Sequence, residues 1–151
     1  MENHNHKIAP PVYVLISILA ILLLHFVVPG PVIIPKPWNL FGFLPLVLGL
    51  ASPVIAVMTF RRAGTSPEPF HEPSVMVTTG IYRTSRNPIY LGFLLVLLGL
   101  AVLLRSLTPF LVVIAYVILI ERNVIRFEER LLADKFGEQW VEYKKRTRRW
   151  L

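Results

Sequence analysis

The chain has 151 residues, 54% hydrophobic and 17% charged, with a formal net charge of +7, no Cys and a mean hydropathy of +0.59. A soluble domain carries about a quarter charged residues, so disorder and an ordinary water-soluble fold are excluded, and the expectation is one compact unit, 1–151, solvated by a bilayer. Without Cys there are no disulfides, thiolate metal sites or Cys nucleophile, and His4, His6, His25 and His71 lack ligand spacing on a common element, so no metal is expected.

In chain order, four uncharged runs predict spans at about 11–28, 40–60, 88–104 and 106–121. At ~1.5 Å per residue, about 20 residues cross a hydrocarbon core. The first two runs suffice, and the two shorter ones are completed by continuation past the surface, with Arg105 and Arg122 snorkelling. The first run lacks a small-residue cleavage site and reads as a retained span. In the second run, Pro45 and Pro53 predict kinks whose freed carbonyls need other partners. Gly42 and Gly49 share one helix face, as do Gly92 and Gly99, which permits close helix approach. Between the last two runs lie only residues 105–108, and Pro109 suits a first helical turn, so a tight antiparallel hairpin is expected.

With the amino terminus cytoplasmic, 14 of the 16 Lys and Arg fall on inside segments, leaving Lys36 and Arg105 outside. This matches the positive-inside rule. Both termini are therefore expected in the cytoplasm, and the net charge reflects topology and anionic headgroups rather than nucleic acid.

Two inside stretches carry more polar chemistry than an anchor needs. The first passes from the Pro- and Gly-punctuated connector 64–69 through a short extended piece, Val75-Met76-Val77-Thr78-Thr79, to Gly80-Ile81-Tyr82-Arg83-Thr84-Ser85-Arg86-Asn87-Pro88-Ile89-Tyr90. Pro88 can open a helix with Asn87 as its N-cap, and such an end attracts a carboxylate or phosphate. Tyr90 falls inside the span, where a buried phenol needs a partner.

The second stretch begins at Glu121. On a regular helix Glu121, Ile125, Glu128 and Leu132 share a face, with Arg122, Arg126, Glu129 and Arg130 on adjoining faces. This helix leaves the bilayer at about the depth of the first stretch, so the two can meet. Phe136-Gly137 predicts its end. An amphipathic helix with Trp140, Val141 and Tyr143 grouped follows, and the tail Lys144-Lys145-Arg146-Thr147-Arg148-Arg149-Trp150 reads as an interfacial anchor.

The blocks Val77-Thr78-Thr79-Gly80-Ile81-Tyr82-Arg83, Arg86-Asn87-Pro88-Ile89-Tyr90-Leu91-Gly92, Glu128-Glu129-Arg130-Leu131-Leu132, Phe136-Gly137 and Tyr143-Lys144-Lys145-Arg146 together resemble the isoprenylcysteine carboxyl methyltransferase family of integral membrane methyltransferases. The resemblance covers about half the chain. It implies an all-α polytopic membrane protein of about four transmembrane helices with a cytoplasmic C-terminal helical extension, and cofactor-site segments at 74–92 and 121–146. It also implies transfer of methyl from S-adenosylmethionine to a lipid-linked or amphiphilic small acceptor through a carboxylate, thiol or amine. The family's cofactor contacts map onto Gly80, Tyr82, Arg86, Asn87, Pro88, Tyr90 and Glu128. Met76 and Val77 look placed for the adenine, and Glu129 and Arg122 are the catalytic candidates that orient the acceptor.

The family's His is Asn87 here, which hydrogen-bonds but carries neither proton nor charge near neutral pH. Asn at this site is similar to a bacterial branch, so the expected location is a bacterial inner membrane, multi-pass. Phospholipid N-methylation is a variant within the same class, because those enzymes share a similar motif region. The expected partners are the acceptor and membrane lipids. The alternative is a non-catalytic membrane anchor or partner-binding protein with a lipid-sensing tail, which leaves Tyr82, Asn87 and Tyr90 without purpose.

Overall fold

A computed structural model describes residues 8–65 and 74–151. Of the connector expected over 64–69, Gly64 and Thr65 are described; the remainder, with His4, His6 and His71, lies outside the described residues. The helices are α1 (Pro10–Val27), α2 (Phe43–Arg62, entered through a 3-10 turn at Trp38–Gly42), α3 (Pro88–Leu104), α4 (Thr108–Ile120), α5 (Arg126–Phe136) and α6 (Glu138–Arg146). A π-helical turn, Glu121–Ile125, joins α4 to α5. Among the described residues there is no strand, only a single bridge between Val32 and Ser106.

The helices begin where the sequence chemistry allows. Pro stands in the first turn of α1, α3 and α4, where its missing N–H costs nothing. The α3–α4 turn is closed by Arg105 in the left-handed region at φ 72°, with its N–H on the carbonyls of Ala101 and Val102. Arg105 Nε also donates to the Ile34 carbonyl at 3.0 Å, and its own carbonyl accepts from Ile33. These contacts tie the hairpin to the α1–α2 connector.

Packing is antiparallel in both pairs. His25 near the end of α1 meets Ser106 before α4 at 2.7 Å, and Asn123 beyond α4 meets Tyr13 in the first turn of α1 at 3.3 Å. Across the α2–α3 seam, Gly42 faces Gly99 and Gly49 faces Gly92. A Cβ on Gly49 would stand 2.6 Å from both the Gly92 carbonyl oxygen and the Val96 nitrogen. Pro53 cannot donate to residue 49, four earlier, and the freed Gly49 carbonyl sits against Gly92 instead. A Cα–H···O contact there replaces part of the lost bond. Ser52 Oγ donates to the Pro88 carbonyl at 2.6 Å, fixing α2 to the start of α3.

The apolar side chains do not all turn inward. Ile21, Leu97, Tyr116 and Ile120 are fully enclosed, yet Phe26, Phe41, Leu44 and Ile114 are more than half exposed. An outer surface this apolar is what lipid solvates. Two helices, Pro10–Val27 and Trp38–Arg62, are long and apolar enough to cross a membrane, and Pro88–Leu104 is a shorter apolar helix.

Candidate active site

The antiparallel pairing brings the exit of α2, the start of α3 and the exit of α4 to one end of the bundle, where the two polar stretches meet. The loop before α3 is held first by apolar contacts. Val77 and Tyr82 are buried with Ala56 of α2, and the Tyr82 ring stands edge-on to Phe60 at 5.2 Å. Gly80 takes φ +58°, and a Cβ there would lie 3.2 Å from Thr59. A left-handed backbone against a neighbouring helix is a position for Gly. The 3-10 turn Gly80–Arg83 follows and aims Tyr82 inward.

From that turn to α3, each residue is fixed by a named bond. The buried Ser85 hydroxyl accepts the Asn87 N–H at 3.1 Å and donates to the Arg149 carbonyl at 3.2 Å. Asn87 occupies the N-cap position, yet its side chain makes no capping bond; Nδ2 donates instead to the Arg149 carbonyl at 3.1 Å. The cap expected from residue type is thus displaced by the carboxyl-terminal tail. Pro88 at the helix start and Tyr90 are buried. Tyr90 donates to Glu128 Oε1 at 2.6 Å, which supplies the partner its burial required.

The charged groups form a compact lattice beside this pair. Arg86 Nη2 lies 3.1 Å from Glu129 Oε1, with the two side chains 8% and 12% exposed. Glu129 also binds Arg149 Nη2 at 2.5 Å, and Arg149 Nη1 reaches Glu121 at 2.9 Å. The Arg86 guanidinium sits 5.4 Å over the Trp140 ring. Its Nε and Nη1 are buried with no hydrogen-bond partner among the described residues. Burial pulls its pKa below the ordinary guanidinium value despite Glu129. A buried donor without an acceptor is costly, so this cation is built to receive an anion.

Glu128 is the complementary group. Burial raises its carboxyl from the ordinary range to about 7, the Tyr90 hydrogen bond opposing. It therefore changes charge near neutrality and gains by meeting a cation. Tyr143 closes the other flank. Its hydroxyl donates to the Tyr82 carbonyl at 2.7 Å, and burial pushes its pKa up to about 12, with Arg86 opposing. Behind it a cavity of about 960 Å³ opens between the extended segment and α6, lined by Met76, Thr78, Thr79, Arg83, Gln139 and Tyr143 among others.

The structure thus brings Gly80, Tyr82, Arg86, Asn87, Pro88, Tyr90, Glu128 and Glu129 to one place, with Met76 on the cavity wall. Val77 turns into the core. Arg122 is exposed on the π turn and takes no part in these contacts. Two sequence expectations change. Glu121 shares its partner with Glu129 rather than a face with Glu128. Eight residues on a regular α-helix put side chains about 80° apart, and the residue absorbed by a π turn reduces this to about 20°. The tail is not a free anchor either: Arg148 and Arg149 are bonded to the loop, Thr147 is buried and Trp150 packs against the bundle core. Sequence reasoning missed Ser85, Trp140, Glu121 and Arg149. Ser85 carried a usable signal, a hydroxyl two residues before a helix-start Asn; Arg149 carried none within a run of basic residues.

The sequence model of the phospholipid methyltransferase family matches residues 38–139. Protein-S-isoprenylcysteine O-methyltransferase of Saccharomyces cerevisiae is 34% identical over 119 residues, covering 74% of this chain and 48% of the relative. The B enzyme of that name from Arabidopsis thaliana is 32% identical over 115 residues, covering 71% and 55%, and the A enzyme 29% over 136 residues, covering 85% and 66%. The chain spans about half the length of the first two relatives and somewhat under two thirds of the third. No solved structure matches it. The loop that delivers Arg86 and Asn87 and the helix that carries Glu128 and Glu129 both lie within the matched residues, and the chain belongs to the phospholipid methyltransferase family, in its isoprenylcysteine carboxyl methyltransferase-like branch.

Proposed function

We propose that the chain is a membrane-embedded, S-adenosylmethionine-dependent methyltransferase acting on a lipid-linked or amphiphilic acceptor. One observation carries this reading: a buried Arg86 with two unpartnered donors lies in the same cluster as a buried carboxyl, Glu128, poised near neutrality. That is the receptor for a zwitterion. When bound, S-adenosylmethionine supplies an electrophilic methyl on a sulfonium. Arg86 would hold its carboxylate, with the Pro88 helix start in support, and Glu128, oriented by Tyr90, would hold its ammonium. Met76 and the cavity beside Tyr143 offer room for the nucleoside.

The chain's part in catalysis is then to orient and to exclude water. An in-line displacement disperses positive charge, so alignment of donor and acceptor at ~3 Å in a water-poor site supplies much of the acceleration. Asn87 cannot act as a base, and Glu129 is committed to Arg86 and Arg149. A carboxylate or thiolate acceptor suits such a site, because neither needs a proton removed at the moment of transfer; an amine would need Glu128. The named relatives methylate isoprenylcysteine, which supports a lipid-linked acceptor. The apolar exterior and the charge distribution support four spans within a single domain, both termini cytoplasmic, in a bacterial inner membrane.

Titration calorimetry of the detergent-solubilised protein with S-adenosylmethionine and S-adenosylhomocysteine tests the cofactor. Labelled cofactor supplied to membranes, followed by mass spectrometry, identifies the acceptor as the molecule heavier by one methyl. Saturable binding with loss on Glu128→Ala is the expected result, and no uptake of either ligand by the folded protein refutes the reading.

A further inference from the structure

The cluster is closed by residues beyond the family match, which ends at residue 139. Thr147 to Leu151 do not trail from α6. The Arg148 carbonyl accepts the Arg86 N–H at 3.0 Å. The Arg149 carbonyl accepts from both Ser85 Oγ and Asn87 Nδ2, while its guanidinium spans Glu121 and Glu129. Trp150 is seated among the core residues of the bundle. One residue therefore grips the loop before α3 with its backbone and the charged helix with its side chain.

We propose that Arg149 is a positioning residue of the methyl-transfer site, its side chain holding Glu129 beneath Arg86 and its carbonyl holding Asn87. The inference rests on the reading that Arg86 receives the cofactor carboxylate. Arg86 has one ion-pair partner, Glu129, and points two further donors at empty valence. The direction of those donors is set by where Glu129 stands. A carboxylate gripped by two guanidinium groups has little freedom, whereas one paired with Arg86 alone can swing with it. Arg149 therefore acts through Glu129 on the group that meets the ligand. It acts on Asn87 through its backbone, which a side-chain substitution leaves in place.

The experiment pairs a variant with a ligand change. Affinities are measured by calorimetry for S-adenosylhomocysteine and for 5′-deoxy-5′-methylthioadenosine, which keeps the nucleoside and lacks the amino-acid end. The proteins are the wild type, Arg149→Ala, Arg149→Lys and Trp150→Ala, each with a thermal melt. The expected result is that Arg149→Ala weakens S-adenosylhomocysteine by about tenfold, the scale of one charge-assisted hydrogen bond, and leaves methylthioadenosine unchanged. Arg149→Lys, which keeps charge and loses the fork, recovers part of the loss. Trp150→Ala loosens the tail without removing the guanidinium and lowers the melt without that ligand selectivity. Equal weakening of both ligands by Arg149→Ala, or the same pattern from Trp150→Ala, shows a structural role and overturns the proposal. Unchanged affinity in Arg149→Ala does so too. Failure of the wild type to bind either ligand is a different result and overturns the methyltransferase reading itself.

Discussion

Gly92 and Arg86 are six residues apart on one short stretch of chain, yet their surroundings are opposite in kind. Around Gly92 the contacts are steric: Pro53 Cδ, the Gly49 carbonyl and Ser52 Cβ crowd the space a side chain would take. Around Arg86 they are electrostatic: two guanidinium groups and two carboxylates share ion pairs under an indole ring. The seam is specified by absence of volume and is indifferent to charge state. The crown is specified by compensation, each charge offsetting the desolvation of another. In lipid, where apolar burial between helices gives little advantage, close backbone approach is what holds helices together, whereas the crown has to hold a charged ligand.

The largest effect expected from breaking this contrast is at Glu129. Glu129→Ala leaves Arg86 and Arg149 without their common partner, and loss of one member of a buried pair costs about 3–5 kcal/mol. A melt in detergent should show it, and an unchanged melt would mean that the crown is solvated. Next is Gly49→Ala, where a Cβ meets backbone atoms that cannot turn aside. Overpacking of about 1–3 kcal/mol is expected, with no dependence on pH or salt; a salt-sensitive loss would dissolve the distinction between the two regions.

Glu128→Gln should weaken S-adenosylmethionine by about tenfold, since the hydrogen bond survives and the charge does not. Stability should hold or rise, because a buried carboxyl with a raised pKa is released. The pH profile sharpens the same point. The folded pKa, about 7, lies above the unfolded value, so this group's favourable contribution to stability is complete below the ordinary carboxylate range and is lost as pH rises toward 7. Cofactor affinity runs the other way, rising with pH until Glu128 is ionised and then levelling. Glu128→Gln should flatten both slopes in calorimetry and melts. The smallest expected effect is Gly80→Ala, about 1 kcal/mol for a side chain at positive φ, read as a small drop in the melt.

The apolar half of the fold was legible because its signals are periodic and local. Pro88 and Leu104 bound α3 as the uncharged run suggested, and the Gly42–Gly49 and Gly92–Gly99 faces are the seam. The demand of Tyr90 for a partner was legible from burial alone, although Glu128 as that partner came through the resemblance. What stayed hidden were relations without period. Nothing local distinguishes Arg149 from Arg148, because its role is defined by Glu121 and Glu129, more than 19 residues earlier. Asn87 has the residue type of a cap, but the tail offers it a carbonyl that sequence spacing does not reveal. Glu121 was assigned to the wrong face because a regular 3.6-residue repeat was assumed where the backbone takes a wider turn.

That wider turn makes the downstream segment adjustable like the thread of a screw. Removing one residue from 121–125 would tighten the coil to the ordinary repeat and rotate everything after it by about 100°, with no loss of helix. Glu128 would swing away from Tyr90 and Glu129 away from Arg86, in a protein whose circular dichroism barely changes. Catalytic competence in this scaffold is thus a matter of phase, set by a single amino acid of surplus length at the point where the polypeptide leaves the hydrocarbon.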